Sequence, residues 1–463
     1  MTPSQPAQDP SESTGADEGL GPTAEPSPTA GLGPGAGLEP AASLGLRGGL
    51  KSAVGLGPRA GRDWLFWAAS RTFLVGIILG WIPWAEQVHD LAIYADWAAQ
   101  SLSHGQFPTD QMWQYPPLAG PVFLLGAALP GERFGFVLLF LAFDAAIMAM
   151  AGQQALRTGR PGGRRLWALV PVIVGPLLLA RFDVVPTAFA VAAVLLAGRP
   201  AASGAVAAIG TWLKVWPALM IAGLRRSDIG RGIAGALGAT LVIVAALAMT
   251  TRDPMSFLAG QRDRGLQIES VAALPFLLAK MLGAPVEVVY RFGAHEIEAP
   301  GAAAVARACT IATLALLALV AALRLRGRLE RLPAPDVGLA VVLFTVVTSR
   351  VFSGQYFIWL LGLAAVGLAD PASRMRRTTA LLVGAGLATH LIYPWLYSAL
   401  LAANPVAVVV QTVRVALTVA ATVAALGVLT SAGGGGQASG SRPARSLRSR
   451  SAERSQPQDD STH

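Results

Sequence analysis

Charge is scarce in this chain of 463 residues: only 14% are Asp, Glu, Lys or Arg, against about 25% in a soluble globular domain. Cysteine is scarcer still. Cys309 stands alone, which excludes an intrachain disulfide and a cysteine-ligated metal cluster. The body of the chain has no Asp-x-Asp pair, so the usual grip on a metal-bound nucleotide sugar is missing. It also lacks G-x-x-x-x-G-K-S/T, H-E-x-x-H and G-x-S-x-G, which removes the common phosphate-loop, zinc-peptidase and serine-hydrolase chemistries. His295, Glu296 and Glu298 do not have metal-ligand spacing, so no metal site is expected.

What the chain has in abundance is apolar sequence. Hydrophobic residues make up 53%, and the mean hydropathy is +0.51. Repeated apolar runs of about 18 residues or more mark a polytopic membrane protein. Lipid offers no hydrogen-bond partners to loose backbone, so helices must carry these spans, and nothing alternates like a barrel strand. The expected fold class is an all-α polytopic membrane protein. It is a helical bundle of about 11–13 membrane segments with a large first extracytoplasmic loop. The net charge of +9 does not imply a nucleic-acid partner, because no recognition motif accompanies it. The arginines gather in short loops and in the tail, where they act as orientation signals facing anionic lipid.

Residues 1–62 are rich in Pro, Gly, Ser and Ala and are expected to form a disordered cytoplasmic tail. They are too long and too acidic for a cleavable signal peptide. Residues 63–430 form the integral membrane domain, and 431–463 a disordered basic tail. Arg47, Lys51, Arg59 and Arg62 precede the first span, near Asp63 to Trp84, and place the N-terminus inside. Arg71 within that span is expected to snorkel toward the inner surface. The loop 85–117 carries Glu86, Asp90, Asp96 and Asp110 and no Lys or Arg, so it reads as external. Apolar runs at 118–130 and 134–150 then lead to the basic loop Arg157–Arg165. Two full crossings would put that loop outside, so one of the two runs is expected to be short or re-entrant. Trp167 to Ala180 and Val184 to Ala197 flank Arg181-Phe-Asp183, whose two charges are expected to satisfy each other. The run Ala201 to Leu224 is interrupted at Trp212-Leu-Lys-Val-Trp-Pro217 and reads as a broken hairpin, tolerated where it lines a cavity. Further spans run near 233–250, 271–282, 302–323, 337–348, 356–368, 379–396 and 406–430. The internal repeat that transporters show is not visible.

Several polar residues stand out against this background. Asp90 and Tyr94 are four apart and share a helix face, while Asp96 points elsewhere. Asp90 either caps a short surface helix or serves as a base. Tyr115-Pro-Pro reads as the stiff start of a span or as an aromatic contact. Lys214 is costly in lipid, and such cations snorkel or find an interior partner; its functional readings are a phosphate contact or a structural counter-ion. Arg262, Arg264 and Glu269 lie in one polar loop, and clustered arginines suit a phosphate through bidentate bonds. Ser349, Arg350, Gln355 and Tyr356 sit at the junction of two apolar runs, where they suit a sugar or phosphate or form an ordinary polar loop. His390 is a lone membrane histidine, either a packing residue or a proton carrier.

Taken in order, these segments resemble glycosyltransferase family 87, polytopic mannosyltransferases of the GT-C superfamily. The resemblance rests on Asp90-Leu-Ala-Ile-Tyr94 followed by Gly105 and Tyr115-Pro-Pro-Leu118, then Lys214-x-x-Pro217. Arg264-Gly-Leu-Gln-Ile-Glu-Ser270 and Phe352-Ser-Gly-Gln355-Tyr356-x-x-Trp359 complete it. It spans about residues 64–425. It implies a sugar, usually mannose, carried on a polyprenyl phosphate and transferred outside the plasma membrane by a single inverting displacement. It implies Asp90 as the base, no cofactor beyond the donor substrate, and an open question over a divalent cation. The family often has Ser-Pro where this chain has Ser353-Gly354, and some members have a His pair at Gln355-Tyr356. The Ala-, Gly- and Arg-rich composition is similar to that of actinobacterial members, which implies a cell-envelope glycolipid or polysaccharide acceptor. A flippase for a lipid-linked sugar and a non-catalytic envelope-assembly protein remain the alternatives.

Overall fold

The computed structural model describes residues 58–431, apart from the stretches 85–89, 109–111, 132, 249–254, 256 and 259–263. The two tails expected at 1–62 and 431–463 therefore lie almost wholly outside the described residues, as do Glu86, Asp110 and Arg262.

The described part is mostly helical. It begins with α1 (Pro58–Ile78), α2 (Asp90–His104), α3 (Ala119–Ala128), α4 (Phe134–Thr158) and α5 (Gly162–Val174). Next come α6 (Leu177–Ala180), α7 (Val184–Leu195), α8 (Pro200–Leu213) and α9 (Ile229–Leu247). After a small sheet and α10 (Leu274–Met281), the chain continues through α11 (Ala302–Leu325), α12 (Ala334–Thr348), α13 (Tyr356–Leu368), α14 (Arg376–His390), α15 (Tyr397–Leu401) and α16 (Pro405–Ser431). Among the described residues, five helical stretches are long and apolar enough to cross a membrane: Phe134–Thr158, Arg226–Leu247, Ala302–Leu325, Arg376–Leu401 and Pro405–Ser431. Helices α9 and α11 leave Leu237, Leu241, Val242, Ile311 and Leu314 exposed. Apolar faces of that extent suit lipid rather than water.

The shorter helices fill the interior. Helices α12 and α13 are buried along nearly their whole length, as helices apolar on every side must be. Backbones come close where side chains are absent. A Cβ on Gly204 would lie 1.8 Å from the carbonyl oxygen of Gly232, and one on Gly163 would lie 1.8 Å from that of Ala365. Small residues at these crossings let α8 meet α9 and α5 meet α13. Helix α3 has 10 residues, about 15 Å of rise, half of the hydrocarbon thickness of about 30 Å. It is the shorter of the two helices in the runs 118–130 and 134–150, the other having 25 residues.

Three expectations need correction. Arg71 does not snorkel. It is 1% exposed, and its Nε and Nη2 donate to the two carboxylate oxygens of Asp144 at 2.9 and 3.0 Å. It also donates to the carbonyls of Trp167 and Ala168. A cation in an apolar interior is costly unless paired, and this fork-to-carboxylate geometry supplies the partner. Arg181 and Asp183 do not satisfy each other; each has a different partner, described below. Nor is the chain all-α. Strands β1 (Leu266–Gln267), β2 (Glu287–Arg291) and β3 (Ala294–Glu298) form an antiparallel sheet in the order β1-β3-β2. Phe292 and Gly293 both have positive φ, the two-residue turn that matches the twist of a hairpin.

The basic loops meet at one end of the bundle. Asp63 pairs with Arg164 at 2.7 Å. Asp336, at the start of α12, accepts from Ser373 Oγ and the Arg374 amide. Arg324 donates to the carbonyl of Ala222, and Gly163 lies against Ala365. Helices α5, α7, α8, α12 and α13 lead from this end to the opposite one, or back again.

Candidate active site

At that opposite end lies a cavity of about 670 Å³, lined by Asp90, Tyr94, Tyr115, Arg181, Lys214, Arg264, Glu269, Gln355, Tyr356 and Trp359 among others. Its walls come from chain segments far apart in sequence.

Asp90 opens α2. Its carboxylate forms an ion pair with Nη1 of Arg181, the extended residue that terminates α6. Tyr94, one turn further along α2, faces the same way and is buried in an aromatic cluster. Its ring stacks on Phe123 with centroids 4.6 Å apart, and its hydroxyl lies 3.3 Å from that of Tyr115. Burial pushes both phenols well up, so both remain protonated hydrogen-bonding groups. Asp96 is exposed on the other face.

Lys214 marks the break expected between Trp212 and Pro217. Helix α8 ends at Leu213, Lys214 is extended, and a 3-10 turn runs from Trp216 to Gly223. The ammonium donates to Oδ1 of Asp183 at 2.7 Å. It also sits over the rings of Tyr115, Tyr356 and Trp359, between 5.1 and 5.6 Å from their centroids. Three ring faces and a carboxylate make this an interior cation with a built partner set. Trp359 donates its Nε1 to the same Asp183 oxygen and stacks between Trp216 and Tyr356.

Arg264 donates Nη2 to the carbonyl of Phe292 at 2.8 Å. Its Nε is buried with no acceptor among the described residues. Glu269 is buried beside Arg414, with Oε1 3.4 Å from Nη1, and Gln267 donates to its other oxygen. Burial pushes the Glu269 carboxyl up, while Arg414 opposes that shift. Gln355 accepts from Ser353 Oγ and lines the cavity next to Tyr356.

Two of the residues singled out in the sequence stand off the cavity wall. Arg350 donates Nη1 to the carbonyl of Arg264 at 2.9 Å, so it braces the segment that leads into β1. His390 donates Nδ1–H to the carbonyl of Val172 at 2.9 Å and packs on Gly175, where a Cβ would lie 2.5 Å from its Nε2. The cavity adds residues that the sequence reading did not rank: Arg181, Gln267, Tyr393 and Tyr397 in its wall, with Asp183 and Arg414 directly behind. Arg414 offered a signal, since an arginine within an apolar run is by default worth examining. Asp183 offered a weaker one, masked by its neighbour Arg181. Among the described residues no three His, Cys, Asp or Glu side chains gather as a metal site would require.

The fold and cavity define a helical membrane protein with a charged, aromatic-walled chamber at one end. Comparison with family models, curated proteins and solved structures yields no match.

Proposed function

We propose that the chain is a membrane glycosyltransferase, with mannose the leading sugar, that takes its sugar from a polyprenyl phosphate and gives it to a glycolipid or polysaccharide of the cell envelope. One observation carries this reading. Asp90, Lys214, Arg264 and Glu269, distant in sequence, share one aromatic-walled cavity. Such a set supplies what the reaction needs. Lys214 and Arg264 meet the charge that grows on the departing lipid phosphate. Tyr115, Tyr356 and Trp359 offer flat faces to a sugar ring. Asp90 takes the proton of the acceptor hydroxyl while that oxygen bonds to the anomeric carbon. The bond from anomeric carbon to phosphate oxygen breaks, and its electron pair leaves with the polyprenyl phosphate. A positioned base of this kind contributes about 100- to 10,000-fold.

Helix lengths support a substrate that stays in lipid. Helices α5, α8 and α12 have 13, 14 and 15 residues, about 20–23 Å of rise, less than a bilayer core of about 30 Å. On this reading the ends of α8 and α12, which bring Lys214 and Ser349 to the cavity wall, stop short of the outer membrane surface, where a polyprenyl chain could reach the cavity from the side. The arginine-bearing loops at the other end are cytoplasmic by the positive-inside bias. That orientation puts the N-terminus inside and the cavity on the outer side of the plasma membrane.

Membranes holding the chain should move label from polyprenyl-phosphate-mannose into a new glycolipid. If the label only changes leaflet, the protein is a flippase and the transferase reading falls.

A further inference from the structure

Arg181 holds the carboxylate proposed as the base, yet it is built to hold something else as well. Its Nη1 pairs with Asp90, its Nη2 donates to the hydroxyl of Tyr393 at 3.0 Å, and its Nε–H is buried with no acceptor among the described residues. The ion pair is not sealed in: the side chains of Arg181 and Asp90 are 15% and 20% exposed, and both line the cavity. A buried donor without an acceptor is costly. A planar guanidinium satisfies its donors best on a two-oxygen anion approached edge-on.

We propose that Arg181 is a phosphate-binding residue that trades Asp90 for the lipid phosphate, so that donor binding releases the base. This rests on the transferase reading and assigns a regulation to the same site. The guanidinium is paired with the Asp90 carboxylate and competes with any hydroxyl for it. When the phosphate of the donor enters, its oxygens take the edge that carries the unused Nε–H and Nη2, in place of the Tyr393 hydroxyl, and the guanidinium turns with them so that Nη1 leaves the Asp90 carboxylate. Asp90 sits in the first turn of α2, where the helix dipole favours an anion. Freed from Arg181, it can accept the proton of the acceptor hydroxyl. As the new glycosidic bond forms, the electron pair of the breaking bond settles on the phosphate that Arg181 now holds. Base release and leaving-group stabilisation are thereby one movement of one side chain.

The test is a binding cycle on the full chain in nanodiscs, with undecaprenyl phosphate as the probe and tryptophan fluorescence as the readout. Asp90→Asn removes the competitor and should bind the probe about tenfold more tightly than wild type, within the usual range of coupling between sites. Arg181→Gln should bind about tenfold more weakly. The double variant should show no gain over Arg181→Gln. Asp96→Asn, which removes a charge from the exposed face of the same helix, should bind as wild type. Equal or weaker binding by Asp90→Asn overturns the proposal, as does a gain that survives in the double variant. If Arg181→Gln fails to fold, Arg181→Lys takes its place in the cycle, since it keeps the charge but loses the fork; it should shrink the gain, and an undiminished gain overturns the proposal. Sugar transfer with an unchanged cycle sinks the exchange alone. The expected cycle without sugar transfer sinks the transferase reading alone.

Discussion

The Lys214 ammonium and Oδ1 of Asp183 lie 2.7 Å apart, and the Trp359 indole donates to that same oxygen at 2.7 Å. Asp183 is fully buried, so the pair fixes both the cation and the aromatic stack. Removing one partner of a buried pair costs about 3–5 kcal/mol, whereas replacing both with apolar residues is far milder. Asp183→Ala should therefore lower the melting temperature in detergent sharply, and Asp183→Leu with Lys214→Met should recover most of the loss. An Asp183→Ala protein that melts like wild type would mean that the pair does not hold the cavity together.

Asp90→Asn keeps the size of the side chain and removes the basic oxygen. Transfer from labelled polyprenyl-phosphate-mannose should fall by about 100- to 10,000-fold, with expression and melting unchanged. Activity retained in this variant would refute Asp90 as the base.

Arg264 carries a buried Nε–H without an acceptor among the described residues. A charge-assisted hydrogen bond is worth about 1.5–3 kcal/mol. Arg264→Gln should weaken undecaprenyl phosphate binding by about 10- to 100-fold, measured by fluorescence titration. Unchanged affinity would remove Arg264 from the phosphate site.

The Arg71–Asp144 pair lies away from the cavity and should matter only for folding. Arg71→Ala should destabilise by about 3–5 kcal/mol and reduce the amount of folded protein. Turnover per folded molecule should stay at the wild-type level. A change in KM for the donor would show that the pair reaches the cavity after all.

Burial pushes the Glu296 carboxyl above its ordinary value of 4.5, against the opposing hydrogen bond from the Gly265 amide. The folded chain thus keeps this proton when the unfolded chain has lost it. Stability from this group is fully present below about pH 4.5 and disappears as pH rises through the raised value. Wild type should lose melting temperature relative to Glu296→Gln as pH climbs from 4 to 7. Identical pH profiles for the two proteins would contradict this linkage.

The cavity was partly legible in advance. Asp90 and Tyr94 could be placed on one face because a helix returns every 3.6 residues, and both do face the cavity. Lys214 could be flagged because a cation among apolar residues needs a partner. The partner itself could not be read. Asp183 sits two residues from Arg181, and proximity in sequence favoured pairing those two. In the fold, Arg181 caps α6 and reaches Asp90, while Asp183 turns to Lys214. The sheet escaped notice for a related reason. Its strands have two to five residues, too few for a period-2 pattern to stand out, and β1 finds its partner only across α10.

By itself the sequence determined the solvent of this protein. Long apolar runs with few charges suit lipid, and lipid requires helices, because backbone amides there have only one another to bond. It also marked the break at Lys214-Val-Trp-Pro217, where α8 ends at Leu213. Only the tertiary structure decided which charge neutralises which. An ion pair depends on distances of a few ångströms between segments whose approach is set by close helix crossings such as Gly204 on Gly232. Periodicity and composition carry no record of those distances.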